Sequence, residues 1–190
     1  MPTTRPARNR LDDMTDMTDS SVFLIAMGVS GCGKSSLGRR LADALGWPFL
    51  EGDDLHPPAN VAKMHAGHPL DDADRAPWLA AIGQWMDRLI ADNRSGVISC
   101  SALKRIYRDA LRGHDRNVRF ILLQVGRDEL QRRLDARSGH FMPASLLDSQ
   151  LATLEPFAPD EPALSINANG TIEATLQEAL AAIHHPLPPR

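Results

Sequence analysis

Gly28-Val29-Ser30-Gly31-Cys32-Gly33-Lys34-Ser35 decides the reading of this chain, because it satisfies G-x-x-x-x-G-K-[ST] at every fixed position. Each residue type there has a physical reason. Glycine lets the backbone fold close around a polyphosphate, so that consecutive N–H groups point inward. A helix starting at Lys34 adds the partial positive charge of its N-terminus. Lys34 can reach β- and γ-phosphates, and Ser35 offers a hydroxyl to Mg²⁺. Residues Gly28 to Ser36 are the candidate nucleotide cradle, with Val29, Ser30 and Cys32 contributing backbone and Gly31 and Gly33 the turns. A chance glycine-rich turn is disfavoured by context. The apolar run Val22 to Met27 precedes the loop, and Leu37, Leu41 and Leu45 stripe the segment after it.

The alternation continues outward from this unit. Val22 to Met27 reads as a strand buried on both faces, and Lys34 to Leu45 as a helix stopped by Gly46. Phe49-Leu50 is a short strand ending in Gly52-Asp53-Asp54, and Pro57 to about Gly67 is helical with proline in the first turn. A long helix from about Ala73 to Asp92 carries the stripe Trp78, Ile82, Met86 and Leu89, a core pattern. Strands follow at Val97 to Cys100, Val118 to Val125 and Leu164 to Asn167. Helices are expected at Leu103 to Arg112, Asp128 to about Arg137 and Pro143 to about Leu154. A closing helix carries Ile172, Leu176, Leu180 and Ile183 before Pro186. Five strands alternating with helices predict a parallel sheet covered on both faces. Ligands in such sheets lie beyond the carboxyl ends of the strands. The loops after Met27, Leu50, Cys100 and Val125 therefore share one rim.

Composition narrows the class. The 190 residues fit one α/β domain, and 21 Lys plus Arg against 24 Asp plus Glu leave a net charge of −3. That balance disfavours a nucleic-acid binder. The two cysteines, Cys32 and Cys100, show no CxxC spacing, and no secretory signal is present, which suits a cytoplasmic location. No apolar run reaches the roughly 18 residues of a membrane span. The seven histidines lack a metal-ligand pattern. Residues 1–20 read as a polar, disordered leader, 21–185 as the catalytic domain and 186–190 as a tail. Among phosphate-loop proteins, a GTPase would carry N-K-x-D, and a motor ATPase an apolar strand ending in Asp beside the loop strand. Neither occurs, and Ile98-Ser99-Cys100-Ser101 ends without a carboxylate. A small-molecule kinase using ATP survives these eliminations.

Longer motifs agree with one another. Gly52-Asp53-Asp54-Leu55-His56-Pro57, with Asn60, Lys63 and Met64, resembles the G-D-x-[FL]-H-P-x-x-N-x-x-K-M signature of bacterial-type gluconokinases. Pro69 to Leu79 is similar to that family's P-L-x-D-x-D-R-x-P-W-L segment. Cys100-Ser101-Ala102-Leu103-Lys104 with Tyr107-Arg108-Asp109 resembles its C-S-A-L-K-x-x-Y-R-D run. Arg133-Leu134, Arg137 and Gly139-His140-Phe141 resemble its lid. The resemblance spans about Val22 to Ile183. It implies transfer of the ATP γ-phosphoryl group to the 6-hydroxyl of D-gluconate. It also implies a nucleoside-monophosphate-kinase-like sheet, a mobile helical lid and a homodimer.

Several residues become candidates for that chemistry. Asp53 can orient the acceptor hydroxyl, accept its proton or hold a Mg²⁺ water, against the plainer reading of a solvated turn. Lys104, Arg108 and Arg112 recur at i, i+4 and i+8, a basic face on which Lys104 and Arg108 could hold a carboxylate or simply face solvent. Arg105 and Asp109 pair at i, i+4 and read as structural. His56 and Asn60 are candidate hydroxyl partners, with His56 alternatively a helix-start cap. Arg75 either meets the substrate carboxylate or braces its helix. Arg133 and Arg137 share a face suited to positive charge over the triphosphate, whereas Arg127 and Arg132 lie off it. Two other readings stay open: a kinase for a different small acceptor, such as shikimate or a nucleotide, and a nucleotide-dependent binding module.

Overall fold

Strand β1 (Val22–Met27) sends alternate side chains to opposite faces of the sheet. Phe23, Ile25 and Met27 join one core with Trp78, Ile82 and Met86, while Leu24 and Ala26 join another with Leu37, Leu41 and Ile183. A strand buried on both faces is what its unbroken apolar sequence predicts. The computed structural model describes residues 21–113, 116–136 and 145–183. The expected leader, the tail, Arg137 and Gly139-His140-Phe141 lie outside them.

The remaining elements follow in the expected order. They are α1 (Lys34–Leu45), β2 (Phe49–Glu51), a 3₁₀ turn (Gly52–Leu55), α2 (Pro58–His65), α3 (Asp72–Ala91) and β3 (Gly96–Ser99). Then come α4 (Arg105–Arg112), β4 (Asn117–Gln124), α5 (Arg127–Asp135), α6 (Ser145–Thr153), β5 (Ala163–Asn167) and α7 (Ile172–Ile183). All five strands are parallel, in the order β2-β3-β1-β4-β5. β1 is central, so the loop leaving it sits between the carboxyl ends of β3 and β4. Helices α1 and α7 pack together on one face, α3 and α4 on the other. Each fully buried Leu, Ile or Phe in these two cores contributes about 1.5–3 kcal/mol relative to exposure.

Local signals set the boundaries. Gly46 ends α1 in the left-handed region at φ 67°, its N–H turned back to the carbonyls of Ala42 and Asp43. Asp71 caps α3 in a reciprocal box. Its Oδ1 accepts from the Asp74 amide at 2.8 Å, and Asp74 Oδ2 accepts from the Asp71 amide at 2.9 Å. Gly52-Asp53-Asp54, read from the sequence as a strand end or a solvated turn, opens a one-turn 3₁₀ segment.

The expected basic face on α4 does not form. Lys104 is the N-cap, with extended backbone, so it falls outside the helical register. Arg108 is fully buried and cannot meet a soluble substrate. Its guanidinium donates to Glu161 Oε1 at 2.5 Å and Oε2 at 3.0 Å, and to the carbonyls of Leu103, Glu155 and Pro156. It also lies 5.0 Å from the Phe157 ring centroid. Burial alone would raise the Glu161 carboxyl, but Arg108 and the Ala158 amide hold it below its ordinary value. Arg105 reinforces the same contact, forking onto Asp160 at 2.8 and 2.7 Å and pairing with Asp109 as its spacing predicts. Together these bonds fasten residues 155–161 to α4.

Breaking the buried pair leaves one charge desolvated and alone. Arg108→Ala should therefore destabilise the protein by about 3–5 kcal/mol, measured as the shift in urea unfolding. A loss of about 1 kcal/mol or less, the scale of an exposed pair, would show that Arg108 is not the anchor described here.

Candidate active site

The cradle takes the form its glycines allow. Gly28, Gly31 and Gly33 have φ of 135°, 83° and 104°, conformations that side-chain-bearing residues rarely adopt. A Cβ on Gly28 would also meet the Cys32 sulfur at 2.9 Å and the Leu123 carbonyl at 3.3 Å. The Cys32 thiol is buried, which leaves only the backbone of this residue to face a ligand. Helix α1 starts at Lys34 with no side-chain cap, leaving its first amides directed at the loop. Lys34 Nζ donates to the Val29 carbonyl at 3.2 Å, folded back along the loop it serves. Ser35 is half-buried and Ser36 exposed at the same helix start. The Ser30 amide donates to Gln150 Oε1 of α6 at 2.7 Å. Nothing in the sequence marked Gln150 as part of the site.

Across the rim, β2 runs into the 3₁₀ turn that carries Asp53. Gly52 is required there by space, since a Cβ would meet the Ser99 carbonyl at 2.3 Å. The Trp78 indole N–H donates to the Gly52 carbonyl at 2.7 Å, tying the turn to α3. The His56 ring stacks on Trp78 with centroids 4.2 Å apart and planes 17° from parallel. Asp53 and Asp54 are both exposed. The sequence showed no carboxylate at the end of β3, but the fold supplies one nearby: Glu51 of β2 accepts a hydrogen bond from the buried Ser99 hydroxyl.

The charges of the candidate residues reach their buried neighbours. Burial and the nearby Asp53 charge push the Cys100 thiol up to about 12, with Lys34 and Arg75 acting against them. His56 is held below its ordinary value chiefly by burial, with Arg75 adding to the effect and Asp53 opposing it. His56 Nδ1 and Arg75 Nε are buried with no hydrogen-bond partner among the described residues. Unmade bonds of this kind cost stability and mark sites where a ligand can supply the partner.

Arg75 and Lys104 line a cavity of about 230 Å³, together with Met64, Leu70, Tyr107 and Gln150. Lys104 Nζ donates to Asp72 at 2.7 Å, and the Tyr107 hydroxyl donates to the same carboxylate. Both bonds hold the Asp72 carboxyl below its usual range. The Arg75 guanidinium sits 5.4 Å from the Tyr107 ring centroid. Asn60 is scaffolding rather than a hydroxyl partner. It is buried and donates to the Asp74 carbonyl at 2.6 Å, beside the Lys63–Asp74 ion pair.

On the other side of the phosphate loop, Gly31, Gly33, Ser36, Arg133 and Gly170 line a second cleft of about 340 Å³. Arg133 spans it, donating to the carbonyls of Cys32 at 3.4 Å and Ala168 at 2.8 Å while pairing with Glu129. Arg127 and Arg132 face solvent, paired with Asp148 and Glu129.

A phosphate loop on the central strand, an acidic turn on the strand two positions away and a polar cavity lined by Arg75, Lys104, Asp71 and Asp72 define a P-loop kinase of small molecules. Comparison with known proteins agrees. The family model described as shikimate kinase matches residues 30–178. A curated gluconokinase from Gluconobacter oxydans (strain 621H) is 51% identical over 158 residues, covering 83% of this chain and 89% of the relative. A solved gluconokinase from Sinorhizobium meliloti 1021 superposes with a TM-score of 0.76 at 45% identity, covering 87% of this chain and 92% of that one. A solved sugar kinase from Janibacter sp. HTCC2649 gives 0.81 at 43%, with 86% and 94% covered. The chain belongs to the gluconokinase family, within the broader class that the shikimate kinase model also reaches.

The depressed His56 imidazole has a consequence for stability. The native protein resists a proton that the unfolded chain accepts, so this residue costs stability as pH falls through about 6.5, the ordinary histidine value. His56→Phe keeps the stack on Trp78 and removes the titration. Its unfolding free energy relative to wild type should rise as pH drops from about 7.5 to about 5. Parallel curves in urea titrations would show that His56 is not held neutral.

Proposed function

We propose that this chain transfers the γ-phosphoryl group of MgATP to the 6-hydroxyl of D-gluconate, giving 6-phospho-D-gluconate and ADP. The observation that carries the reading is a cavity lined by Arg75 and Lys104 that Gln150 joins to the phosphate loop, its side-chain oxygen accepting from the Ser30 amide at 2.7 Å. Membership of the gluconokinase family supports the choice of acceptor.

In this reading the loop amides and Lys34 hold the β- and γ-phosphates, and the cleft at Gly31, Gly33 and Arg133 takes the adenosine end. Arg75 and Lys104 hold the acceptor carboxylate, with Lys104 exchanging Asp72 for it, and His56 Nδ1 meets a hydroxyl. Asp53 takes the proton of the 6-hydroxyl. That oxygen then bonds to the γ-phosphorus, the bond to the β–γ bridging oxygen breaks, and its electron pair leaves on ADP. Arg137, outside the described residues, is proposed to bring positive charge to the transferring group.

The residues suit Mg²⁺. Ser35 and Asp53 supply hard oxygen donors, and no cluster of three His, Cys, Asp or Glu side chains occurs among the described residues. That donor set fits a cation whose other ligands are phosphates and water. When bound, Mg²⁺ neutralises charge shared by the β- and γ-oxygens. Ser35 would hold it directly and Asp53 through water. A homodimer and a cytoplasmic location complete the proposal. No helix among the described residues is long and apolar enough to cross a membrane.

A coupled ADP-release assay tests the acceptor, because the shikimate kinase family model favours a second candidate. Turnover should appear with gluconate and not with shikimate or nucleoside monophosphates. Turnover with shikimate alone would overturn the assignment.

Asp53→Asn should keep ATP binding and lower kcat by about 10²-fold or more, whereas Asp54→Asn should be mild. Reversed effects would make Asp54 the working carboxylate. Lys104→Ala should raise the gluconate KM by about tenfold, the loss of one charge-assisted hydrogen bond, with a smaller change in the ATP KM. An unchanged gluconate KM would remove Lys104 from the substrate site.

A further inference from the structure

Gln150 belongs to α6, 120 positions along the chain from the residue it bonds. Its side-chain oxygen accepts the Ser30 amide proton at 2.7 Å. That amide lies in the middle of the phosphate loop, where backbone N–H groups are the ligands of phosphate oxygens. Gln150 also lines the acceptor cavity with Arg75, Lys104 and Tyr107. One side chain therefore touches both the donor's cradle and the acceptor's cavity, at the boundary where the two substrates must meet. An amide oxygen is the right acceptor for this N–H but carries no charge, so a phosphate oxygen competes with it effectively.

We propose that Gln150 is a positioning residue that couples the two substrate sites. A nucleotide phosphate takes over the Ser30 amide, and the released carboxamide turns to the acceptor cavity, where it bonds a hydroxyl of the polyol acid. Nucleotide occupancy thereby raises affinity for the acceptor. By thermodynamic reciprocity the acceptor strengthens nucleotide binding by the same factor. The coupling rests on the gluconate kinase reading for its acceptor, but its first half concerns nucleotide alone. The helix that carries Gln150 runs into Glu155, which is fixed at the start of α4: its amide donates to the Leu103 carbonyl at 2.9 Å and its carboxylate accepts from the Arg105 amide at 2.5 Å. Movement of the Gln150 side chain does not require that anchor to move.

Two variants and two calorimetric titrations test this. Gln150→Leu removes the competing acceptor, so a non-hydrolysable ATP analogue should bind about fivefold tighter without gluconate, the worth of one neutral hydrogen bond. Gln150→Glu keeps an acceptor on the Ser30 amide and charges it, so the analogue should bind weaker than to wild type. Opposite shifts cannot arise from a general loss of structure, which weakens binding in both. In the second titration gluconate is added with the analogue saturating. Its affinity for Gln150→Leu should drop about fivefold or more relative to wild type, with little change when the analogue is omitted. Nucleotide affinities that move together or not at all would overturn the proposal, as would wild-type gluconate affinity in the Gln150→Leu complex. Failure of the acceptor reading would look different: gluconate would bind none of the proteins, while the nucleotide shifts persisted.

Discussion

The site depends on a backbone constraint. The six-residue loop between β1 and α1 must turn tightly enough to offer backbone N–H groups to a phosphate, and it does so with three glycines at positive φ. Such a cradle has no side chains with which to adjust, so its precision must come from the elements at either end. β1 is buried on both faces at the centre of the sheet. Its neighbour also holds the loop directly: the Gly28 amide donates to the Ser101 carbonyl at 3.3 Å, and the Cys100 amide to the Ala26 carbonyl at 3.1 Å. Ala102, the next residue, is buried with φ at 43°, a strained conformation for a residue with a side chain. The strain sits where the β3 loop passes beside the phosphate cradle.

The acceptor side is held by side chains instead. Trp78 pins the Asp53 turn, Asn60 and Lys63 bind the start of α3, and the Asp71–Asp74 box fixes the first turn of that helix. Exposed pairs of this kind are each worth little, yet they share partners, and Asp74 alone engages Asn60, Lys63 and Asp71. The signature from Gly52 to Trp78 therefore combines the few residues proposed to act in the reaction with many that place them. A motif match reports both without separating them.

That mixture explains what was legible in the sequence. The phosphate loop, the strands and the core stripes follow from local pattern, and the parallel sheet follows from their alternation. Arg108 could not be read correctly, because its role depends on Glu161, 53 positions away. Helical spacing alone made Arg108 the twin of Lys104. In the fold Lys104 precedes the helix and lines the cavity, while Arg108 points into the protein. Gln150 gave no signal either, since a glutamine on an amphipathic helix carries no chemistry until its partner is known. Glu51 is similar: it reaches Ser99 only because β2 pairs with β3 in register.

Binding at such a site is an exchange. Lys34 bonds the Val29 carbonyl, the Ser30 amide bonds Gln150, and Lys104 bonds Asp72. The Ser30 amide, with its single proton, meets a ligand only by giving up Gln150, whereas each lysine has three donors and can trade one or add another. The net gain of a traded contact is a difference between two hydrogen bonds. The exchange keeps the groups oriented and limits how tightly the ground state is held, which suits an enzyme whose useful binding energy belongs to the transition state. His56 Nδ1 and Arg75 Nε differ, being buried without a partner among the described residues. A ligand that reaches them recovers a cost already present in the fold. Both lie on the acceptor side, whereas the phosphate side relies on loop amides and a helix start common to many nucleotide-binding proteins. Selectivity for the acceptor is therefore expected to rest on the unpartnered pair, and affinity for the nucleotide on the backbone.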